Sequence, residues 1–434
     1  MVLWAMVPLL ATAALASRVT IGSPTVLSVP AILDGGYWVN VSVGTPQQPL
    51  AMLFDVNVVF STLMYPVLAQ PPCTDECEDI ATFGSFDPAR SRSYEPITGG
   101  AERWDSEMYL YSEGSDILSF GSEDVEGLDF RLVPLADEFS AVNELGWNGD
   151  ISRRLVRQGL TTSLSYSLWN TPGTNEAGVL FGGINTAKYH GPLHCFPMDL
   201  PTSGTSPRVT LPINGVELQL GNSTSESNIT RSYDFPESPC PVRTADTMWS
   251  ETYLPRDTLV GLYAELGLSY DSLAQRVELP CSRQTEDHTI IFKIGNTTIS
   301  TPWSAFITEE PQVGPGSDSG TECSFNIHPA DVRFSDDYIG ELGPNIIQHM
   351  YLVVDEDTEM ACVAPLNSNP GQDEILEIGP GPRVLDAVGE FPTTVTRYSP
   401  PTPLVTTVTS TQGVVKTAVP VMAAVGIAGV AFVL

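Results

Sequence analysis

Short hydrophobic runs alternate with turn-forming residues along most of the chain between residues 30 and 365. The runs are rich in Val, Ile, Leu, Tyr and Thr, and the segments between them in Gly, Pro, Asn and Asp, a pattern typical of β-strands and their turns. The clearest runs are, in chain order, YWVNVSV, AMLFDV, EMYLYS, GVLFGGI, HTIIFKI and MYLVVDED. The pattern predicts a mostly β fold, and 434 residues are enough for two domains.

Two segments have the periodicity of a helix instead. The first, DISRRLVRQGL, offers Asp150 as an N-cap and Gly159 as a stop signal. The second, PRDTLVGLYAELGL, begins at Pro255. The sequence therefore predicts few helices, all of them short.

Both ends of the chain have the composition of targeting segments. Residues 1–16 are apolar and close on Ala-Leu-Ala, the small-x-small pattern of a signal-peptide cleavage site. Residues 414–434 include the apolar run 418–434, which is shorter than the roughly 20 residues of a spanning helix. This tail predicts a signal for a glycolipid (GPI) anchor, with a transmembrane helix as the alternative.

The segment before this tail cannot build a packed core. Residues 392–411 are dense in Ser, Thr and Pro, a composition typical of an extended, O-glycosylated stalk. We therefore predict a stalk over residues 367–413, which would hold the domains away from a membrane or wall. Signal, stalk and tail together predict the secretory pathway and the outer face of the plasma membrane or the cell wall.

Secretion would place the cysteines in an oxidising compartment, where disulfides form. Two pairs are suggested by position, because one can close a small ring and the other flanks a strand-rich stretch. They are Cys73 with Cys77, and Cys281 with Cys323. Three more cysteines have no assigned pairing: Cys195, Cys240 and Cys362. Since the total of seven is odd, at least one thiol is free or pairs outside the mature chain.

Four N-x-S/T sequons are candidates for N-glycosylation in the same pathway. They are Asn40, Asn222, Asn228 and Asn296. Such sequons also arise by chance, so each is a separate prediction.

The chain is strongly acidic, with 52 acidic against 20 basic residues and a formal charge of −32. This charge argues against nucleic acid and anionic membrane surfaces as partners. It fits either a solvated, self-repelling surface or a protein built for an acidic medium. The five histidines form no H-E-x-x-H pattern, and the sequence has no P-loop and no G-x-S-x-G. We predict neither a metal nor a cofactor, and a monomer.

An aspartate inside an apolar run is the strongest chemical signal. Asp55 lies in LFDVNVVFSTLMY, and charged residues are seldom buried unless something compensates them. The surrounding GGYWVNVSVGTPQQPLAMLFDVN resembles the opening of pepsin-like aspartic proteases, in which a G-T-P-x-Q turn and an apolar strand lead to D-T-G-S. Three later blocks are also similar to that family, in the same order: GVLFGGINTAKYHGPL, YLPRDTLVGLYAEL and LGPNIIQHMYLVVDEDTEMACVAPL.

This resemblance implies a bilobal fold of two β-barrel-like lobes with a cleft between them. The N-terminal lobe would span residues 30–193 and the C-terminal lobe residues 194–366. The cleft would hold a polypeptide substrate or ligand.

Alignment on Tyr253-Leu254-Pro255 places the second catalytic aspartate of the family at Asp246. Two carboxyl groups held in contact share one proton, so one can act as general base on a water and the other as general acid. Tyr111 would be the flap tyrosine, with an ordinary strand tyrosine as the alternative. Asp318, in GSDSGT, follows a Gly/Pro loop rather than an apolar strand, and we interpret it as a loop residue.

Both aspartate motifs depart from the family. The first replaces Thr-Gly-Ser by residues that lack the hydroxyls or add a side chain, and the second has two large residues where the family is small. The altered loops consist of Val56, Asn57 and Val58, and of Thr247, Met248 and Trp249, of which only Thr247 keeps the family residue. Each hydrogen bond lost to a charged group costs roughly 1.5–3 kcal/mol.

Three functions follow from these residues. The first is an acid endopeptidase on the cell surface that uses an Asp55/Asp246 dyad. The second is an inactive relative that binds peptide or glycan in its cleft. The third is a structural cell-wall glycoprotein. The layout of signal, lobes, stalk and tail is similar to that of fungal surface proteases, which suggests a fungal source.

Overall fold

A computed structural model describes most of the chain up to residue 379. The described residues are 17–18, 27–33, 36–56, 58, 60–65, 83–97, 103–104, 110–134, 143–147, 151–171, 174, 176–198, 209–221, 229–235, 240–244, 251–271, 276–309, 322–330 and 340–379. All of them lie in one compact unit, Met1–Val395.

Strands dominate the described residues, which confirms the predicted fold class. The strands are β1 (Ser17–Arg18), β2 (Leu27–Leu33), β3 (Tyr37–Val43), β4 (Gln48–Asp55), β5 (Ser61–Tyr65), β6 (Glu95–Pro96), β7 (Arg103–Trp104), β8 (Leu110–Phe120), β9 (Glu123–Pro134), β10 (Glu144–Gly146), β11 (Ser165–Asn170), β12 (Glu176–Phe181), β13 (Gly183–Asn185), β14 (His194–Pro197), β15 (Thr210–Leu220), β16 (Ile229–Asp234), β17 (Cys240–Thr244), β18 (Thr252–Leu254), β19 (Tyr270–Asp271), β20 (Arg276–Pro280), β21 (Thr289–Ile294), β22 (Thr297–Pro302), β23 (Ile307–Glu309), β24 (Glu322–Phe325), β25 (Ile327–Pro329), β26 (Glu341–Leu342), β27 (Met350–Asp355), β28 (Met360–Pro365) and β29 (Ile375–Glu377).

Three α-helices lie within the described residues, and two of them were predicted. They are α1 (Ser152–Arg157), α2 (Arg256–Leu266) and α3 (Pro344–Ile347). Gly159 follows α1 with φ of 70° and Gly267 ends α2 with φ of 63°, a left-handed conformation in which glycine costs little. Asp150, the predicted N-cap of the first helix, lies outside the described residues.

The largest sheet joins strands from the two halves of the chain. Its order is β14-β28-β27-β11-β12-β2-β3-β4-β10-β5-β9-β8-β6. The strands β27 and β28, from the end of the folded region, pair next to β11 and β12, from the first half. A second sheet, of eight strands, is built from the second half of the chain, in the order β22-β21-β15-β17-β26-β18-β25 with β16 on β15.

The two halves repeat one pattern of strand pairing. In the first half, β10 runs parallel to β4 and antiparallel to β5, and β5 runs parallel to β9. In the second half, β26 runs parallel to β17 and antiparallel to β18, and β18 runs parallel to β25. The central strand begins with Glu-Leu in both halves and a Gly follows. The two halves of the chain therefore share one arrangement of strands.

Aromatic side chains fill the core beneath the end of β4. Trp147 stacks on Phe181 with ring centroids 5.2 Å apart, and its ring is 4.8 Å from that of Tyr166. Phe54, next to Asp55 in sequence, contacts Tyr166 edge-to-face at 5.3 Å. All four rings are fully buried, so the end of β4 that carries Asp55 packs against a cluster of aromatic side chains.

Two disulfides lie among the described residues, and both stabilise the second half. The predicted pair Cys281–Cys323 is confirmed. Of the three cysteines without an assigned partner, two form a disulfide: Cys195 on β14 bonds to Cys362, which lies directly opposite it on β28. The predicted pair Cys73–Cys77 lies outside the described residues, as does the side chain of Cys240.

The folded body continues beyond residue 366. Residues 367–379 were assigned to the stalk, yet they include β29, which pairs with β13, and Ile378, which is buried. The hydroxyl of Thr162 donates to the carbonyl oxygen of Ile378 at 2.9 Å. Lys188 forms an ion pair with Asp373 at 3.0 Å. The composition of this segment gave no sign of these contacts, because all of them reach back to residues far away in sequence.

Substitution of Glu356 is expected to change how stability depends on pH. Burial raises the pKa of the Glu356 carboxyl to about 7, against the effects of nearby Arg153 and Trp147. Between the pKa of Glu356 in the unfolded chain and its pKa of about 7 in the folded protein, only the folded protein keeps this carboxyl protonated. The contribution of Glu356 to the free energy of unfolding is therefore highest in acid and falls as the pH rises towards 7. The free energy of unfolding of the wild type, relative to that of Glu356→Gln, should fall by roughly 3 kcal/mol from pH 4.5 to pH 8.

Urea unfolding of both proteins at each pH measures this difference. The subtraction cancels other titrating groups, such as His349, whose pKa burial lowers to about 4. A difference that stays constant or rises with pH would show that Glu356 is not held protonated in the folded state.

Candidate active site

Asp55 is the last residue of β4 and lies opposite Gly146 of the parallel strand β10. Its side chain is fully buried, with 0% of its surface exposed. The next residue, Val56, is also buried, and its side chain cannot accept or donate a hydrogen bond. Val58 is half-buried, and Asn57 lies outside the described residues. Asp55 is therefore held at a strand end, beside an apolar side chain.

Gly146 allows the chain after Asp55 to pass close to β10. A Cβ atom at this position would lie 2.7 Å from the carbonyl oxygen of Val58 and 2.9 Å from that of Phe60. Gly343, which follows the corresponding strand β26, would likewise place a Cβ against the carbonyl of Glu251. Sequence reasoning missed both glycines, although the repeated Glu-Leu-Gly was visible.

A buried asparagine fixes the other side of the first loop. The side-chain oxygen of Asn143 accepts from the backbone N–H of Met64 at 2.9 Å, and its amide donates to the carbonyl of Gly84 at 2.9 Å. The backbone carbonyl of Asn143 accepts from the N–H of Leu53 at 2.8 Å. Asn143 is fully buried and links β4, β5 and the segment at residue 84. No local pattern in the sequence marks it.

The second predicted loop is described only at its flanks. Asp246, Thr247, Met248 and Trp249 lie outside the described residues. Downstream of them, the hydroxyl of Thr252 donates to the side chain of Asn345 at 2.8 Å and accepts from the N–H of Gly343 at 3.0 Å. Both side chains are buried. A satisfied buried network of this kind fixes the start of β18 against α3.

The strand register shows that the two loops differ in length. Opposite Glu144 lie Leu53 and Thr62, which are nine positions apart. Opposite Glu341 lie Arg243 and Tyr253, which are ten positions apart. Counted from Tyr253, the position equivalent to Asp55 is Asp246. Counted from Arg243, it is Ala245. The second loop therefore has one residue more than the first.

Tyr111, the predicted flap residue, lies at the start of β8 and pairs with Arg103 of β7. It is nearly buried, with 8% of its surface exposed. The guanidinium carbon of Arg131 lies 4.4 Å from the centroid of its ring and 4.2 Å from that of the Phe60 ring. Phe60 and Arg131 were not identified from the sequence, because their contact depends on the pairing of β5, β8 and β9.

The charge of Asp55 affects a neighbouring tyrosine. The pKa of the Tyr166 hydroxyl is raised well above its usual value, first by burial and then by the carboxylates of Glu356 and Asp55. Tyr166 therefore stays protonated throughout the acid and neutral range. Within the described residues, no three His, Cys, Asp or Glu side chains are grouped as a metal site would require.

The structure describes two of the four sequons and neither of the predicted targeting segments. Asn40 on β3 and Asn296 in the turn between β21 and β22 are both exposed. Asn222, Asn228, the predicted signal 1–16 and the predicted tail 414–434 lie outside the described residues. In the part of the chain that is described, no helix is long and apolar enough to cross a membrane.

Substitution of Gly146 is expected to destabilise the first loop. In Gly146→Ala the added methyl group would overlap two backbone carbonyls, and overpacking of this kind costs about 1–3 kcal/mol. Gly371→Ala is the matched control, since a Cβ there meets no atom within 4 Å. Urea unfolding should show the loss for Gly146→Ala alone. Equal midpoints for the two variants would contradict the close approach of this loop to β10.

Comparisons with known proteins agree with this architecture. A family model described as eukaryotic aspartyl protease matches residues 132–366. The chain is 28% identical over 367 residues to the probable aspartic-type endopeptidase opsB of Aspergillus fumigatus, covering 80% of this chain and 72% of that protein. It is 24% identical over 366 residues to the aspartic proteinase yapsin-3 of Saccharomyces cerevisiae, covering 78% and 68% of the two chains. Secreted aspartic protease 7 of Candida albicans is 20% identical over 362 residues, covering 76% and 59%. The chain therefore belongs to the eukaryotic aspartyl protease family.

Proposed function

We propose that this protein binds polypeptides in the cleft between its lobes and that its hydrolytic activity is lost. It would act at the cell surface as a non-hydrolytic member of the aspartyl protease family. The observation that carries the proposal is the environment of Asp55, a fully buried carboxyl group beside the buried, apolar Val56.

A general base must lie within hydrogen-bond reach of the water or group whose proton it takes. The carboxyl of Asp55 has no exposed surface, so a substrate would reach it only after the surrounding loop moves. In active members of the family, hydroxyl side chains beside the aspartates hold the two loops together. Val56 and Val58 offer no such hydroxyl. Since catalysis is sensitive to sub-ångström placement, loss of this support would slow the reaction strongly.

The second loop supports the same conclusion. It has Met248 and Trp249 where the family has small residues. The segment between its two flanking strands is also one residue longer than in the first loop. A dyad needs its two carboxyl groups in contact, because only then do they share one proton. An asymmetric pair of loops disfavours that contact.

The second candidate function is acid endopeptidase activity. Both aspartates are retained, 191 residues apart (246 − 55), and relatives of this chain are named aspartic-type endopeptidases. In that mechanism the ionised aspartate activates a water and the protonated one donates to the substrate carbonyl. The buried Tyr166 hydroxyl, which stays protonated, would not compete for this proton.

The location proposed for the protein is the extracellular side of the plasma membrane or the cell wall. The signal-like residues 1–16 and the apolar tail 414–434 support secretion and a lipid anchor. The exposed Asn40 and Asn296 are accessible to glycosylation, and two disulfides are typical of an oxidising compartment. One relative is named a secreted aspartic protease.

Cleavage of a mixed peptide library between about pH 2.5 and 6 tests the proposal. The purified wild type is expected to release no more product than Asp55→Asn or Asp246→Asn, while a statine-containing peptide still binds. Acid-dependent cleavage that the statine peptide inhibits, and that either substitution abolishes, would establish an endopeptidase. A folded protein that neither cleaves nor binds would instead favour a structural glycoprotein.

A restored loop provides a matched gain-of-function control. In Val56→Thr/Asn57→Gly/Val58→Ser the first loop regains the family residues, and Met248→Gly/Trp249→Thr removes the bulk from the second. If the altered loops cause the loss, the combined variant should exceed the wild type at least about a hundredfold in cleavage rate, the lower end of the usual general acid–base contribution. No gain from a folded, statine-binding variant would place the cause elsewhere.

A further inference from the structure

We propose that Arg131 is a positioning residue that couples the hairpin carrying Tyr111 to the loop that follows Asp55. Its guanidinium lies between the rings of Phe60 and Tyr111. The consequence for ligand binding rests on the proposed function, in which the coupled segments would be two walls of the cleft. Arg131 would then determine how long a bound polypeptide stays.

The two rings come from separate segments that no other described ring contact joins. Phe60 belongs to the connection between β4 and β5, five residues after Asp55. Tyr111 is the second residue of β8. The guanidinium carbon is 4.2 Å from the first ring centroid and 4.4 Å from the second. Both distances are within the roughly 6 Å over which a cation is attracted to an aromatic face.

The strand register explains how one residue reaches both rings. Arg131 lies on β9, directly opposite Thr62 of the parallel strand β5 and Glu113 of the antiparallel strand β8. Tyr111 is two positions before Glu113, so its side chain points to the same face of the sheet as that of Glu113. It is therefore a diagonal neighbour of Arg131, a separation that long side chains span. Phe60 is two positions before Thr62 and approaches from the other side.

The stack runs from the interior to the surface. Tyr111 is 8% exposed, whereas Phe60 is 45% exposed, one of three large hydrophobic side chains that are exposed among the described residues. The buried ring anchors the guanidinium, and the exposed ring covers it. Because Arg131 covers one face of the Phe60 ring, less of its apolar surface is exposed to water. Movement of either segment would break one of the two contacts.

Arginine suits this role better than lysine would. Its guanidinium is planar, so it can stack on two rings at once, whereas the ammonium of lysine is a compact, strongly hydrated charge. Two other arginines contact rings elsewhere in the described residues, at longer distances. Arg256 lies 5.9 Å from the Tyr270 ring and Arg283 lies 5.5 Å from the Trp303 ring. These contacts are on the second half of the chain and provide a control.

Binding kinetics of a statine-containing peptide test the proposal on the full-length protein. In Arg131→Lys and in Phe60→Leu the dissociation rate should rise about tenfold, because roughly one or two cation–π contacts are lost, with association within about twofold. The double variant should dissociate no more than about twofold faster than either single variant, because all the coupling passes through one guanidinium. Arg256→Lys should leave both rates unchanged.

Amide hydrogen exchange gives a second reading that does not depend on any ligand. Phe60→Leu is expected to raise the exchange of residues 110–114 about as much as Arg131→Lys does, although Phe60 lies outside that hairpin. A wild type that binds no statine peptide would refute polypeptide binding, and exchange would then decide the role of Arg131 alone. Additive dissociation rates, or exchange at 110–114 that Phe60→Leu leaves unchanged, would overturn the proposal.

Discussion

The parallel pairing of β4 with β10 is the constraint on which the site depends. It brings the end of β4, and with it Asp55, against Gly146. The absence of a side chain there lets the following loop cross within contact of β10. Asn143 locks the same junction through buried hydrogen bonds. The second half of the chain repeats this device with β17, β26 and Gly343. Asp55 is thus placed by a strand pair and a glycine rather than by the residues around it.

The same constraint explains why loss of the family's motif residues is compatible with an intact fold. The loop after Asp55 is fixed by backbone packing and by aromatic rings beneath it, including Phe54 and Tyr166. Val56 adds buried apolar surface in place of a hydroxyl, which stabilises the loop while it removes polar support from Asp55. Stability and catalysis therefore make different demands on one short segment.

Much of the fold could be predicted from local pattern. The strand Tyr37–Val43 and the helix Arg256–Leu266 were readable because their periodicity and end signals lie within the segments themselves. The pairing of Cys195 with Cys362 and the buried Ile378 were not, since each depends on contacts with residues more than about 160 positions away. At the site, Asp55 and Tyr111 were predicted by resemblance, whereas Asn143, Gly146 and Arg131 were not predicted, because their contacts depend on how distant strands pair.

The accessibility of the Asp55 carboxyl is the central claim, and chemical labelling measures it most directly. A small epoxide that alkylates ionised, accessible carboxylates would be applied to the folded protein in acid, and the modified residues would be mapped by mass spectrometry. We expect modification of exposed acids such as Glu126 and none at Asp55. Stoichiometric modification of Asp55 that a statine-containing peptide prevents would contradict the account and indicate an open, reactive dyad.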